Sequence, residues 1–171
     1  KRTEIWFLPH LLIFGLGSTA ARLATRLRTE GWHVTGTRRS AGADTLAFDD
    51  APAVRAAIAS ATHILSSVPP EGEVDPVLVR YGAAISAAPA RWTGYLSSTG
   101  VYGDTGGAWV DEASPIGAGR RTARADADGD WGTLRPDMRR FRLPGIEVGH
   151  QSIDLGMVIG VCCLGDFHNG G

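Results

Sequence analysis

Gly15-Leu16-Gly17-Ser18-Thr19-Ala20 is a G-x-G-x-x-A turn. Gly15 lets the chain turn tightly, Gly17 lets a pyrophosphate approach the backbone, and the small Ala20 lets a helix pack closely on a strand. A helix opening at Ser18 and Thr19 adds unpaired N–H groups and a positive dipole end, both suited to phosphate. About twenty residues on, Arg38-Arg39 places two guanidiniums where an acid would accept hydrogen bonds from ribose hydroxyls. Their charge and fork geometry match a ribose 2′-phosphate. The pair therefore points to NADP in preference to NAD, the other reading being a solvated basic turn. Asp49 is placed either to contact an adenine or to cap the helix that follows. Ser66, Ser67 and Val68 close an apolar run where a ribose or nicotinamide would lie, because ligands of open α/β sheets sit at the carboxyl ends of strands.

The flanking elements supply the context that such motifs need. "HLLIFG" is a continuous apolar run, as in a strand buried on both faces. In "STAARLATRLRTEG", Ala20, Leu23, Ala24 and Leu27 share one helical stripe and Gly31 can end the helix. Strands are then expected in "WHVTGTRR", "DTLAFDD", "THILSSVPP" and "RWTGYLSSTGVYG". Helices are expected in "APAVRAAIASA" and "DPVLVRYGAAISAAP", each with a proline acceptable in its first turn. This alternation predicts an α/β fold, a doubly wound parallel sheet with helices on both faces in three layers. From Gly117 to Arg140 helical fragments are diluted by Gly117, Gly119, Gly129 and Gly132, and "FRLPGIEV" reads as a sixth strand. No internal repeat is visible.

Composition narrows the class. Apolar residues form 43% and charged residues 20%, an ordinary globular balance, and the formal net charge of −1 offers no field for nucleic acid or an anionic membrane. The run Met157 to Leu164 is far short of the roughly 20 apolar residues that span a bilayer. Lys1 and Arg2 before "IWFLPHLLIFGLG" loosely imitate a secretory leader, but Glu4, Pro9 and His10 interrupt it. The only cysteines, Cys162 and Cys163, are adjacent, which suits neither a bridge nor a zinc site, so a reduced cytoplasmic protein is expected. His10, His33 and His63 are scattered without metal-ligand spacing, His150 and His168 lie in the tail, and no metal is expected.

Taken in order, "FGLGSTAARLA", "VTGTRR", "ILSSVPP", "YLSSTGVYGDTGGAWVDE" and "FRLPGI" resemble the short-chain dehydrogenase/reductase superfamily. The likeness is to its extended, NAD-dependent epimerase/dehydratase branch, and within it to an atypical nucleoside-diphosphate-sugar epimerase-like subgroup. It runs from about His10 to Gly145. The resemblance implies a Rossmann-type domain with bound NAD(P) and a substrate region built from C-terminal residues. It also implies a small-molecule substrate such as a nucleotide-sugar. It gives Ser98 the role of hydrogen-bonding the reacting oxygen, with Thr99 beside it as a second candidate. Dehydratases of the branch carry an acidic pair after this serine; Thr99 and Gly100 stand there instead, which counts against dehydration.

The family's Tyr-x-x-x-Lys pair, in which the tyrosine exchanges a proton, cannot occur here. The tyrosines are Tyr81, Tyr95 and Tyr102, and the only lysine, Lys1, precedes them all. Arg120-x-x-x-Arg124 occupies the corresponding place. Arg124 could hold a ribose or phosphate, but an arginine does not donate a proton near neutral pH. Tyr102 is a substitute acid or a packing residue. A non-catalytic NADP(H)-binding sensor is the alternative that this loss favours. Asp104, Asp111 and Glu112 either touch substrate or cap their loop, and Trp109 either covers a ring or anchors the loop. Relatives continue well beyond "RLPGI", whereas here "EVGHQSIDLGMVIGVCCLGDFHNGG" follows. The expected division is a nucleotide-binding domain over 1–149 and an unassigned tail over 150–171, with the C-terminal substrate region truncated or absent. A homodimer is an open expectation.

Overall fold

The computed structural model describes residues 8–117 and 122–143. His10–Phe14 (β1), His33–Arg38 (β2), Thr45–Ala47 (β3), His63–Ser66 (β4), Trp92–Ser98 (β5) and Met138–Leu143 (β6) are its strands. Between them run the helices Ser18–Thr29 (α1), Ala51–Ser60 (α2), Pro76–Ser86 (α3) and Ala123–Leu134 (α4), with a 3₁₀ turn over Thr99–Tyr102. The six strands form one sheet in the order β3-β2-β1-β4-β5-β6. Every neighbouring pair is parallel, with Leu11 opposite Val34 and His63, and Leu65 opposite Gly94. This is the doubly wound α/β sheet expected, with β1 central and the chain reversing its order beside it.

The apolar pattern explains the layers. On one face α1 buries Ala20, Leu23, Ala24 and Leu27 against Leu11, Ile13, Val34 and Leu65. On the other, Val54 and Ile58 of α2, Val77, Tyr81 and Ile85 of α3, and Ala127 and Trp131 of α4 cover Leu12, Phe14, Ile64 and Tyr95. Both faces of β1 and β4 are thus dry, which is why their sequences are apolar without alternation. Each fully buried leucine contributes about 2 kcal/mol of transfer free energy.

Helix α4 is the clearest departure from the sequence reading. Its glycines do not dissolve it. Thr122 caps it, its side chain accepting from the Ala125 N–H at 3.2 Å, and Trp131 is fully buried and stacked on Tyr95 with ring centroids 5.2 Å apart. Gly132 is there for contact, since a Cβ would stand 2.8 Å from the Arg140 guanidinium. Strand β6 begins three residues before "FRLPGIEV", at Met138. The expected continuation past Leu143, the tail over 150–171, Arg120, Cys162, Cys163, His150 and His168 lie outside the described residues.

The three N-terminal histidines converge at the amino ends of their strands, the end opposite the glycine turn. The rings of His10 and His33 lie 4.3 Å apart, and His63 meets Trp32 edge-on at 4.7 Å. Among the described residues no group of three His, Cys, Asp or Glu side chains is placed to hold a metal, and no helix is long and apolar enough to cross a membrane.

Candidate functional site

The carboxyl end of β1 is shaped by a chain of close contacts. Gly15 adopts φ +78°, and a Cβ there would lie 2.8 Å from Val68 Cγ2 and 3.2 Å from Ser67 Oγ. Only glycine meets both demands. The Gly15 N–H donates to Thr37 Oγ1 at 3.1 Å, and the Leu16 N–H donates to the Thr37 carbonyl at 2.9 Å. The Ser67 hydroxyl donates to the Gly15 carbonyl. Gly36 on β2 makes room for Leu16, whose side chain would lie 2.7 Å from a Cβ at that position. Thr37 and Gly36 are parts of this turn that could not be singled out from local pattern, because their contacts lie across two strands.

Gly17 differs in kind. Its φ is −81°, and the nearest atom to a Cβ there is the Gly15 carbonyl oxygen at 4.0 Å. Nothing among the described residues requires glycine at this position. A side chain would only fill the space in front of α1. That helix also begins without a cap: Gly17 offers no side chain, and no acid stands in the first turn. The other three helices are each capped by a side chain, from Asp50, Asp75 and Thr122. The α1 amides and the positive end of its dipole therefore open onto free space beside Gly17, where Ser18 is exposed and Thr19 half-buried. Ala20 is buried and provides the close helix–sheet approach.

This space belongs to a cleft of about 780 Å³. Gly15 and Gly17, Arg38 and Arg39, Asp49, and Ser67 and Val68 all line it. Both arginines are exposed, and among the described residues neither guanidinium has a hydrogen-bonding partner. Phe48 forms part of the wall, and Pro69, Pro70 and Glu71 form the opposite lip. Ser66 is fully buried and lies outside this lining. Asp49 does not cap α2; that role falls to Asp50, whose carboxylate accepts from the Ala53 N–H at 3.2 Å. Asp49 instead faces the cleft and is gripped by Arg80 of α3, which donates to its carboxylate and, at 2.8 Å, to its carbonyl. A cleft with bare amides at the start of α1, two guanidiniums without partners among the described residues and a carboxylate at the far wall offers donors suited to a phosphate-bearing ligand.

The second group of candidates stands one strand further along the same edge and does not line that cleft. Ser98 is half-buried and Thr99 exposed at the end of β5. The Ser98 hydroxyl lies 3.2 Å, and Arg124 Cδ 3.9 Å, from the point where Gly100 would carry a Cβ, so the two side chains converge there. Tyr102 is buried with Val101 and Ala125, and its hydroxyl accepts from Arg142 Nη1 at 3.1 Å, with the guanidinium 5.2 Å above the ring. Tyr81 donates to the Phe48 carbonyl. Tyr95 is fully buried, and burial with the nearby Asp75 pushes its hydroxyl up to about 12. None of the three tyrosines presents its hydroxyl to the cleft.

A buried network, unforeseen from the sequence, fixes this region. Asp128 of α4 is wholly buried and accepts from Arg140 at 2.8 Å and Arg142 at 2.9 Å, both of β6. Burial raises its carboxyl pKa, but the Arg142 hydrogen bond and the two guanidinium charges outweigh that and hold it below the usual carboxylate range. Arg142 also donates to the Glu112 carbonyl, and the Gly117 N–H to the Val101 carbonyl, so the loop over 103–117 is tied down at Glu112 and at its C-terminal end. Within it Asp104 and Asp111 cap turns, accepting from the Gly106 and Ala113 N–H groups. Trp109 anchors nothing: its side chain is fully exposed.

No family model matches the chain, and no curated protein matches it. Solved structures do. A conserved protein of unknown function from Silicibacter pomeroyi is 34% identical, with a TM-score of 0.65, over 85% of this chain and 58% of its own. A protein assigned as an NAD-dependent epimerase/dehydratase from Methylobacillus flagellatus is 26% identical, with a TM-score of 0.57, over 80% of this chain and 54% of its own. A short-chain dehydrogenase/reductase superfamily protein from Agrobacterium tumefaciens, solved with bound NAD, shares the fold at 21% identity and a TM-score of 0.52, over 67% of this chain and 40% of its own. The chain thus spans between 40% and 58% of the length of these proteins.

Proposed function

We propose that this chain, which has the fold and motif order of the short-chain dehydrogenase/reductase superfamily and its epimerase/dehydratase branch, binds NADP(H) and serves an epimerase-like or reductase reaction on a nucleotide-sugar or similar hydroxyl compound. One observation carries the reading. The uncapped start of α1, the open cradle at Gly17 and the unpaired Arg38 and Arg39 face a single cleft. Gly15, Gly17, Ser18, Thr19 and Ala20 seat the pyrophosphate, Arg38 and Arg39 take the 2′-phosphate, Asp49 faces the adenine, and Ser67 and Val68 lie toward the nicotinamide half. The cofactor supplies hydride exchange when bound. Ser98 orients the substrate oxygen by hydrogen bonding, and Arg124 holds a ribose or phosphate beside it.

A second reading, a NADP(H)-binding sensor without turnover, rests on the tyrosines. All three are buried, and the chain has no lysine beyond Lys1. An acid–base pair of the family type is therefore missing, and Ser98 alone is a poor proton donor. Titration with NADPH and NADH, followed by an assay of hydride transfer to a panel of nucleotide-sugars, separates the readings. Binding with turnover supports the first and tight binding without turnover the second. Failure to bind either cofactor removes both. A cytoplasmic site of action and a homodimer belong to the same proposal, and cell fractionation and sedimentation test them.

A further inference from the structure

Arg80 lies on α3, 31 residues beyond Asp49, and nothing in the cofactor motif includes it. Its fork makes two contacts with one residue, Nη1 with the Asp49 carboxylate oxygen Oδ1 and Nη2 with the Asp49 carbonyl at 2.8 Å. Its guanidinium also lies over Phe48 and Tyr81, 5.9 Å and 5.8 Å from the ring centroids. Tyr81 meanwhile donates its hydroxyl proton to the Phe48 carbonyl. Two consecutive cleft residues are therefore held by neighbouring residues of one helix. The Asp49–Arg80 pair is open to water, with side-chain exposures of 78% and 39%, so it adds little to stability. Its consequence is orientation. With Oδ1 and the carbonyl both taken by Arg80, Oδ2 is the carboxylate oxygen of this cleft-lining residue that has no hydrogen bond among the described residues.

We infer that Arg80 is a positioning residue that fixes Asp49 as a hydrogen-bond acceptor for the exocyclic amine of the purine, making the site selective for a 6-amino over a 6-oxo base. An ionised carboxylate only accepts. It pairs with an adenine amine and repels the carbonyl oxygen of a 6-oxo purine. Two-point contact by a planar fork holds one rotamer of Asp49, which an ammonium on a flexible stem does less well. The inference rests on the reading of the cleft as a dinucleotide site with the purine beside Phe48 and Asp49.

The test is equilibrium titration of the 171-residue chain with NADPH and with its hypoxanthine analogue, in which a 6-oxo group replaces the 6-amino group. The wild type is expected to prefer NADPH about tenfold or more, the size of one hydrogen bond to a charged group. Arg80→Met keeps the stem over Phe48 and removes both donors. It is expected to bring the preference below about threefold, mainly through weaker NADPH binding, with a melting temperature near that of the wild type. Arg80→Lys is expected to fall between, and it carries the test if the methionine variant unfolds. A preference unchanged in both variants overturns the inference. Asp49→Asn is the separate control on the underlying reading. If it leaves the preference intact while NADPH still binds, Asp49 does not face the purine and the inference fails with it. If NADPH does not bind the wild type at all, the dinucleotide reading itself has failed.

Discussion

Gly15 and Gly17 are two residues apart and answer to different demands. Gly15 is fixed by the fold, through its φ of +78° and the 2.8 Å approach of Val68. Gly15→Ala is expected to cost about 1–3 kcal/mol of stability, measured by urea unfolding. At Gly17 the backbone is ordinary and the surroundings open, so Gly17→Ala should change stability by less than about 0.5 kcal/mol. Under the proposed function the same variant should weaken NADPH binding by about tenfold or more, because the added methyl group would stand where the phosphates are proposed to approach. Equal losses of stability at the two positions would show that Gly17 is structural. Arg38 gives a second contrast. Arg38→Asp should weaken NADPH by about tenfold to a hundredfold and NADH much less, as expected for a charge-assisted bond to the 2′-phosphate. Equal loss for both cofactors would show that Arg38 does not read that group.

At the scale of elements, β1, the glycine turn and α1 were legible because three local signals agree: a wholly apolar strand, a turn needing glycine and a helix with one apolar stripe. The six elements from β2 to β5 were legible for similar reasons. Helix α4 was not, because its glycines lower its propensity, while the tertiary contacts that outweigh them, Trp131 on Tyr95 and Arg140 over Gly132, come from other strands. The adjacent acids Asp49 and Asp50 are indistinguishable as caps in a sequence. Only the backbone decides that Asp50 turns toward α2 and Asp49 toward the cleft and Arg80. The clamp of α4 on β6 spans 14 residues and was invisible for the same reason. Because Asp128 is wholly buried between two arginines, Asp128→Ala is expected to cost about 3 kcal/mol. The accompanying expectation is greater protease sensitivity of the loop over 103–117, which Arg142 ties to this site. Limited proteolysis followed by mass spectrometry reads both the cut and its position.

For the whole molecule, the amino end of the sheet makes stability depend on pH. At the amino end, burial and the nearby Arg91 push the His63 imidazole down to about 4. The unfolded chain binds that proton near pH 6.5, so between about pH 6.5 and 4 the unfolded state holds more protons than the folded one. Stability from this group is full above pH 6.5 and is lost as pH falls. A decrease of about 2 kcal/mol between pH 7.5 and 5 is expected from His63 alone. His10, also lowered by burial and by His33, adds to it in the same direction. His63→Gln should flatten the curve over this range; an unchanged slope in urea titrations at several pH values would assign the loss elsewhere.

The bare start of α1 has a thermodynamic side. Among the described residues three helix starts are capped by the protein's own side chains and that of α1 is not, so under the proposed function the anion bound there makes the folding equilibrium depend on its concentration. At a hundredfold excess over the dissociation constant the gain is about 2.7 kcal/mol, a large part of a small domain's margin. Pyrophosphate alone should thus raise the melting temperature, and the protein's lifetime in a cell would track the supply of the anion that completes it.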